Sequence, residues 1–174
     1  MVRKLFLALA ATFLCGVALA AGARLFNATD FVAPSREAAT LNAEELKKVA
    51  FLRSKPGVIK TIQVTKVNLA ALAGGAMTLV LPNGKELEYT GSPVENTVEG
   101  ATIRSWVGTS ASGGQVFISH TDTGFGGQIH ERGKTYHLGA LPGRRYFALM
   151  EIIPRPYQDD TPPPAVPPPT GLRK

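Results

Sequence analysis

Cysteine is almost missing from this sequence: of 174 residues, Cys15 alone carries a thiol. It lies in an amino-terminal segment that reads as a leader. Val2-Arg3-Lys4 is a short positive region, Leu5 to Val17 is apolar, and Ala18-Leu19-Ala20 has the small-x-small form that signal peptidase cuts. Cleavage after Ala20 is expected, giving a secreted or periplasmic chain. The apolar run is shorter than the ~20 residues of a spanning helix, and Leu14 stands where a lipoprotein signal needs a small residue before the cysteine. A mature chain without a thiol has no disulfide framework, no cysteine nucleophile and no thiolate zinc site. Its stability must come from packing, and 154 residues after Ala20 are enough for one domain with a core.

Charge is sparse as well. Without Arg3 and Lys4 the 19 basic residues fall to 17 against 13 acidic ones, a net charge of +4. Lys47, Lys48, Lys55, Lys60, Lys66, Arg144 and Arg145 are dispersed, as on a solvated surface, and no nucleic-acid partner is expected.

The common catalytic signatures are absent. No His-Glu-x-x-His helix occurs. Gly108 to Gly114 holds hydroxyls and glycines, but it lacks the strand-to-helix elbow of a serine nucleophile and the Gly-Lys-Ser/Thr of a phosphate cradle. Asp122 and Glu131 are a candidate acid-base pair that reads more simply as two solvated turn carboxylates. His120, His130 and His137 are the donors that a three-nitrogen zinc site would need. His120 falls at a strand end beside Thr121-Asp122, so surface or structural roles are expected for all three. No catalytic, cofactor or metal site is assigned.

What the sequence does contain is alternation. Asn42 and Glu45 form a capping box, with Leu41 and Leu46 as a staple, so a short helix is expected that presents Leu46, Val49, Ala50 and the Arg53 stem and stops at Lys55-Pro56-Gly57. From Val58 the period becomes that of a strand. Ile62 with Val64, and Val67 with Leu69, share faces across a shift near Lys66, and Ala70 to Gly75 reads as a turn. Met77–Leu81 and Leu87–Thr90 flank Pro82-Asn83-Gly84-Lys85, where Asn83 and Gly84 mark a hairpin. Ile103–Val107, Gln115–Ser119, Gly126–His130, Thr135–Leu138 and Tyr146–Ile152 follow at turn-separated intervals.

The fold class expected is mainly β: an antiparallel meander, as a curved sheet or a sandwich, with one short N-terminal helix. Its domains are a leader (1–20), a flexible arm (21–40), a β-rich domain (41–153) and a disordered proline-rich tail (154–174). In the core we place Trp106, Gly108, Gly127, Ile129 and Tyr136, with Gly126-Gly127 giving way where a side chain would meet the Trp106 ring.

Several of these motifs occur in a familiar order. Asn68-Leu69, Pro82-Asn83-Gly84, Trp106-Val107-Gly108, Gly127-Gln128-Ile129, Tyr136-His137-Leu138 and Phe147 to Glu151 follow one another between Val58 and Ile152. In this order the stretch resembles the N-terminal pro-region of secreted bacterial metzincin zinc proteases of the reprolysin-like group. The resemblance implies a non-catalytic domain that covers a protease cleft and assists its folding. After Ile152 this sequence continues into the proline-rich segment rather than a zinc-protease sequence, so the implied partner is a separate secreted zinc metalloprotease. With no thiol, any block of a cleft must use backbone, carboxylate or imidazole groups. The alternative is a cell-envelope or extracellular module that binds a protein or polysaccharide and has no protease partner.

Overall fold

A computed structural model describes residues 22–81 and 83–154 of the chain. The leader, and the proline-rich tail after Pro154, lie outside the described residues. None of the described helices is long and apolar enough to cross a membrane.

Ten strands form one sheet: β1 (Ala23–Phe26), β2 (Phe31–Val32), β3 (Ile59–Thr65), β4 (Ala76–Val80), β5 (Glu86–Val98), β6 (Ala101–Ser110), β7 (Gln115–His120), β8 (Phe125–Glu131), β9 (Lys134–Ala140) and β10 (Phe147–Ile152). Their order is β1-β4-β5-β6-β7-β8-β9-β10-β3-β2. From β4 to β10 each strand pairs antiparallel with the next, which is a meander; only β1 and β4 run parallel. The sheet is therefore mixed and single, a curled half-barrel rather than a sandwich.

Its curl follows from connectivity. The two edge strands β1 and β2 are consecutive in the chain, joined by residues 27–30 alone, and the rings of Phe26 and Phe31 meet edge to face at 5.6 Å. Beyond β3, the Asn68 amide donates to the Leu25 carbonyl at 2.7 Å, so the chain leaving one side of the sheet touches the other. One core fills the concave face. Leu25, Phe26, Leu79, Trp106, Ile118, Ile129, Leu138 and Leu149 reach it from seven strands, each large side chain contributing roughly 1.5–3 kcal/mol when fully buried.

Residues 22–40 are thus no loose arm. Leu25 and Phe26 are fully buried, because β4 and the Asn68 region supply the neighbours that a local reading lacks. Helix α1 (Glu37–Thr40) is tied by Glu37, whose two carboxylate oxygens accept from Arg53 at 2.7 Å each. Helix α2 (Ala43–Arg53) begins as expected: Asn42 Oδ1 accepts from the Glu45 amide at 2.9 Å, and Glu45 Oε2 accepts from the Asn42 amide at 2.7 Å. Its Val49 joins Leu41, Val64, Leu141, Tyr146 and Ala148 in a second core on the outside of β3 and β10. Ala50, expected on that face, is exposed.

The hairpin at Asn83-Gly84 forms, with Val80 opposite Glu86. Gly84 has φ +78° and its amide donates to Leu81, while Asn83 Oδ1 accepts from the Lys85 amide. The Leu81 amide donates to the Lys85 carbonyl and Gly84 is left-handed, so this is a longer loop rather than a two-residue turn. Ala70 to Gly75, read as a turn, is largely a 3-10 turn over Leu69–Ala73, and its Ala71 and Leu72 are buried in the main core. The strand expected through Val67 and Leu69 ends at Thr65.

Strands β5 and β6 are longer than their periodicity suggests, and join through Glu99 and Gly100, both with positive φ. Pro93 lies inside β5. Gly91 sends its amide to Gly75 on the β4 side; position 93 shares that direction, and β4 pairing has ended at Ala76–Thr90, so no ladder donor is missed.

Candidate functional site

Glu131 accepts three side-chain hydrogen bonds, more than any other carboxylate among the described residues. It ends β8, points inward with Ile129, and is 4 % exposed. Its Oε2 accepts from the Tyr89 hydroxyl at 3.2 Å and the Ser110 hydroxyl at 3.1 Å, and its Oε1 accepts from Ser112 at 2.6 Å. The β6–β7 turn is shaped around it. Gly113 takes φ +81°, the Gly114 amide donates to Ser110 Oγ at 2.9 Å, and a Cβ on Gly114 would stand 1.9 Å from Glu131 Oε2. Burial works to raise the Glu131 pKa; the bonds from Ser112, Ser110 and Tyr89, with the Lys85 charge, outweigh it and hold the group below the usual glutamate range. Burial first, and then the Glu131 charge, push the Tyr89 hydroxyl well above its ordinary value. Every hydroxyl here is committed to the carboxylate, so the cluster closes one end of the sheet.

The expectation that Glu131 is a solvated turn carboxylate is therefore wrong: the two serines that bury it come from a turn 19 and 21 residues earlier. Asp122 is exposed at the opposite end of the β7–β8 hairpin, so the two carboxylates do not form a pair.

Nor are the histidines brought together. His130 Nδ1 lies 3.0 Å from Thr135 Oγ1, and His137 Nε2 lies 2.9 Å from the Gln128 amide, both on the outer face of β8–β9. His120 pairs with Arg104 at the far end of the sheet. Among the described residues no group of three or more His, Cys, Asp or Glu is placed to hold a metal ion.

Of the expected core residues, Trp106 and Ile129 are fully buried and Tyr136 nearly so. Gly108 is buried and Gly127 half-buried. The Trp106 indole N–H donates to the Gly74 carbonyl at 2.7 Å. The glycines that make room for the ring are Gly108 and Gly91, where a Cβ would stand 2.4 and 2.8 Å from ring carbons. Gly126-Gly127 does not serve this purpose. A Cβ on Gly127 would meet Ile118, and one on Gly126 would meet nothing within 4 Å.

Gly126 belongs instead to the outer face, whose organisation the residue register defines. Val107, Phe117, Gln128, His137 and Met150 stand opposite one another across β6 to β10 as one row of large side chains. Ser105, Ser119, Gly126, Gly139 and Ala148 form the next row, all small. A shallow groove of about 580 Å³ lies along them. Val107 and Phe117 are 47 % and 48 % exposed. The third row, Thr109, Gln115, His130 and Thr135, is polar and bears no carboxylate or lysine. Across β6–β9 the outer positions thus contain no Lys, Arg, Asp or Glu, whereas helix α2 covers the neighbouring β3–β10 face. The alternation in the sequence carried this signal, since every second residue of four successive strands is uncharged.

Comparison of the chain with protein-family models, with curated proteins and with solved structures finds no match.

Proposed function

We propose that this chain is a secreted, non-catalytic binding domain of the pro-region kind, and that it engages a separate secreted zinc metalloprotease through the outer face of β6–β9. The observation that carries the reading is the exposed, uncharged ridge centred on Val107 and Phe117 beside the small-residue groove. An apolar pair held at the surface by sheet register favours a partner that covers it. Burial of this face desolvates no ion, which is the condition the centre of an interface meets. The Gly126–Gly139 pair lets a partner's backbone come close. The class of partner comes from the resemblance of residues 58–152 to metzincin pro-regions.

The test is to titrate the chain from Ala21 onward against the metalloproteases secreted by its own source cell. Stoichiometric loss of proteolysis is expected, and undiminished proteolysis at high excess would overturn the reading. A second reading, an envelope-polymer-binding module, is favoured by Phe51. This ring is 53 % exposed, with Lys48 and Lys55 ammonium groups 5.4 and 4.9 Å from its centroid. It predicts retention on anionic envelope polysaccharide that is lost when both lysines become glutamine.

A further inference from the structure

At the end of the sheet opposite Glu131, the 3-10 turn Leu69–Ala73 and the β5–β6 arm enclose a cleft of about 530 Å³. This is within the size range of small-molecule sites, which are mostly apolar with a few polar groups. Leu69, Leu72 and Pro93 give it apolar walls, while Glu95, Arg104 and His120 line it as polar groups. Register brings the three together, Arg104 standing opposite Glu95 on one side and His120 on the other.

The charges there are unequal in effect. Glu95 Oε2 accepts from Arg104 Nε at 2.9 Å, and among the described residues no bond is made by the Arg104 Nη groups. The Arg144 guanidinium donates to the carbonyl oxygens of Thr121 and Asp122 and forms no ion pair with a carboxylate among the described residues. His120 is held below its ordinary pKa by burial, then by Arg104 and Arg144, with Asp122 acting the other way. Burial and the two guanidinium charges thus work against the imidazolium form.

We propose that this cleft binds a small monocarboxylate with an apolar body, the carboxylate lying between Arg104 and His120 and the apolar body against Leu69, Leu72 and Pro93. A single negative charge matches the site, because Glu95 and Asp122 flank it and repel a dianion. The cleft adjoins the outer face of β6–β9, because Ser105 of the small-residue row lines it and His120 lines the groove on that face as well. An anion beside His120 favours the imidazolium, so binding takes up a proton and tightens as pH falls. The charged groups that act on His120 are Arg104 on β6, Asp122 in the β7–β8 turn and Arg144 in the β9–β10 loop, and Glu95 on β5 lines the same cleft.

Octanoate, with octanol as its uncharged counterpart, tests the proposal on the whole mature chain. Imidazole NMR follows His120 from pH 5.5 to 8, and calorimetry gives affinity. Octanoate is expected to shift the His120 signals saturably and to raise their titration midpoint. Octanol and the Arg104→Gln variant are expected to bind about tenfold more weakly, as loss of a charge-assisted hydrogen bond implies, and Glu95→Gln to bind octanoate more tightly. Arg104 and Glu95 are half-exposed, and unchanged circular dichroism will confirm that both variants fold. An unmoved His120 signal at millimolar octanoate, equal binding of octanol, or unaltered affinity in Arg104→Gln would each overturn it.

Discussion

Gly108 lies beneath Trp106: a Cβ on Gly108 would stand 2.4 Å from both Cη2 and Cζ3 of the indole and 2.8 Å from the Thr90 carbonyl oxygen. Neither neighbour can yield, since the ring is fully buried and bonded to Gly74 and the carbonyl belongs to the sheet. Gly108→Ala is expected to destabilise the fold by about 3 kcal/mol, the upper part of the overpacking range. Gly126→Ala, with open space around it, is expected to stay within about 0.5 kcal/mol of the parent. Urea unfolding of the two variants measures the contrast.

The same Gly126→Ala variant separates stability from binding. It puts a methyl group into the small-residue row beside Phe117 without touching the core. Partner affinity is expected to fall several-fold while the urea midpoint holds. Equal affinity would remove the groove from the interface and leave the ridge alone.

Glu131 makes the fold acid-sensitive. Its folded pKa is depressed, so its contribution is fully present above the unfolded value, near pH 4.3, and is lost as pH falls through the folded value. Glu151, held down by Lys60 and Lys134 against its own burial, acts in the same window. Glu131→Gln is expected to lose about 1–3 kcal/mol at pH 7 and to flatten the fall in stability below pH 4.3. Thermal unfolding from pH 3 to 7 gives both quantities.

Arg53 carries the docking of the amino-terminal segment onto α2. Removing its guanidinium leaves Glu37, 5 % exposed, without the two 2.7 Å bonds it accepts. Arg53→Ala is expected to cost about 1–3 kcal/mol and to speed hydrogen exchange in residues 37–40 before the meander. Uniform exchange across the sheet would place the loss elsewhere.

The parts of this fold that were legible in the sequence are those written locally. The α2 cap needs only Asn42 and Glu45, three residues apart, and the β4–β5 hairpin needs only the Asn83-Gly84 pair. Strand β1 has no such signature. Ala23–Phe26 is four residues with no alternation, and its burial depends on a parallel partner more than fifty residues away. The distal half of β5 was hidden by Pro93 and by polar residues on both faces, tolerated because β4 ends before it. Glu131 illustrates the same limit, since a turn carboxylate becomes a buried one only when Ser110, Ser112 and Tyr89 arrive from other strands. The outer row is only partly legible: alternation gives each strand two faces, but only register shows that Val107 and Phe117 adjoin one another and the glycine pair.

The most direct measurement is a titration of the secreted metalloproteases of the source cell with the parent chain and with Phe117→Asp, whose side chain is half-exposed and outside the core. The reading predicts one-to-one loss of proteolysis with the parent, and at least a tenfold higher concentration requirement for the variant, as a charge buried at an interface implies, with unfolding unchanged. Inhibition by Phe117→Asp equal to that of the parent, or none by the parent at high excess, would contradict it.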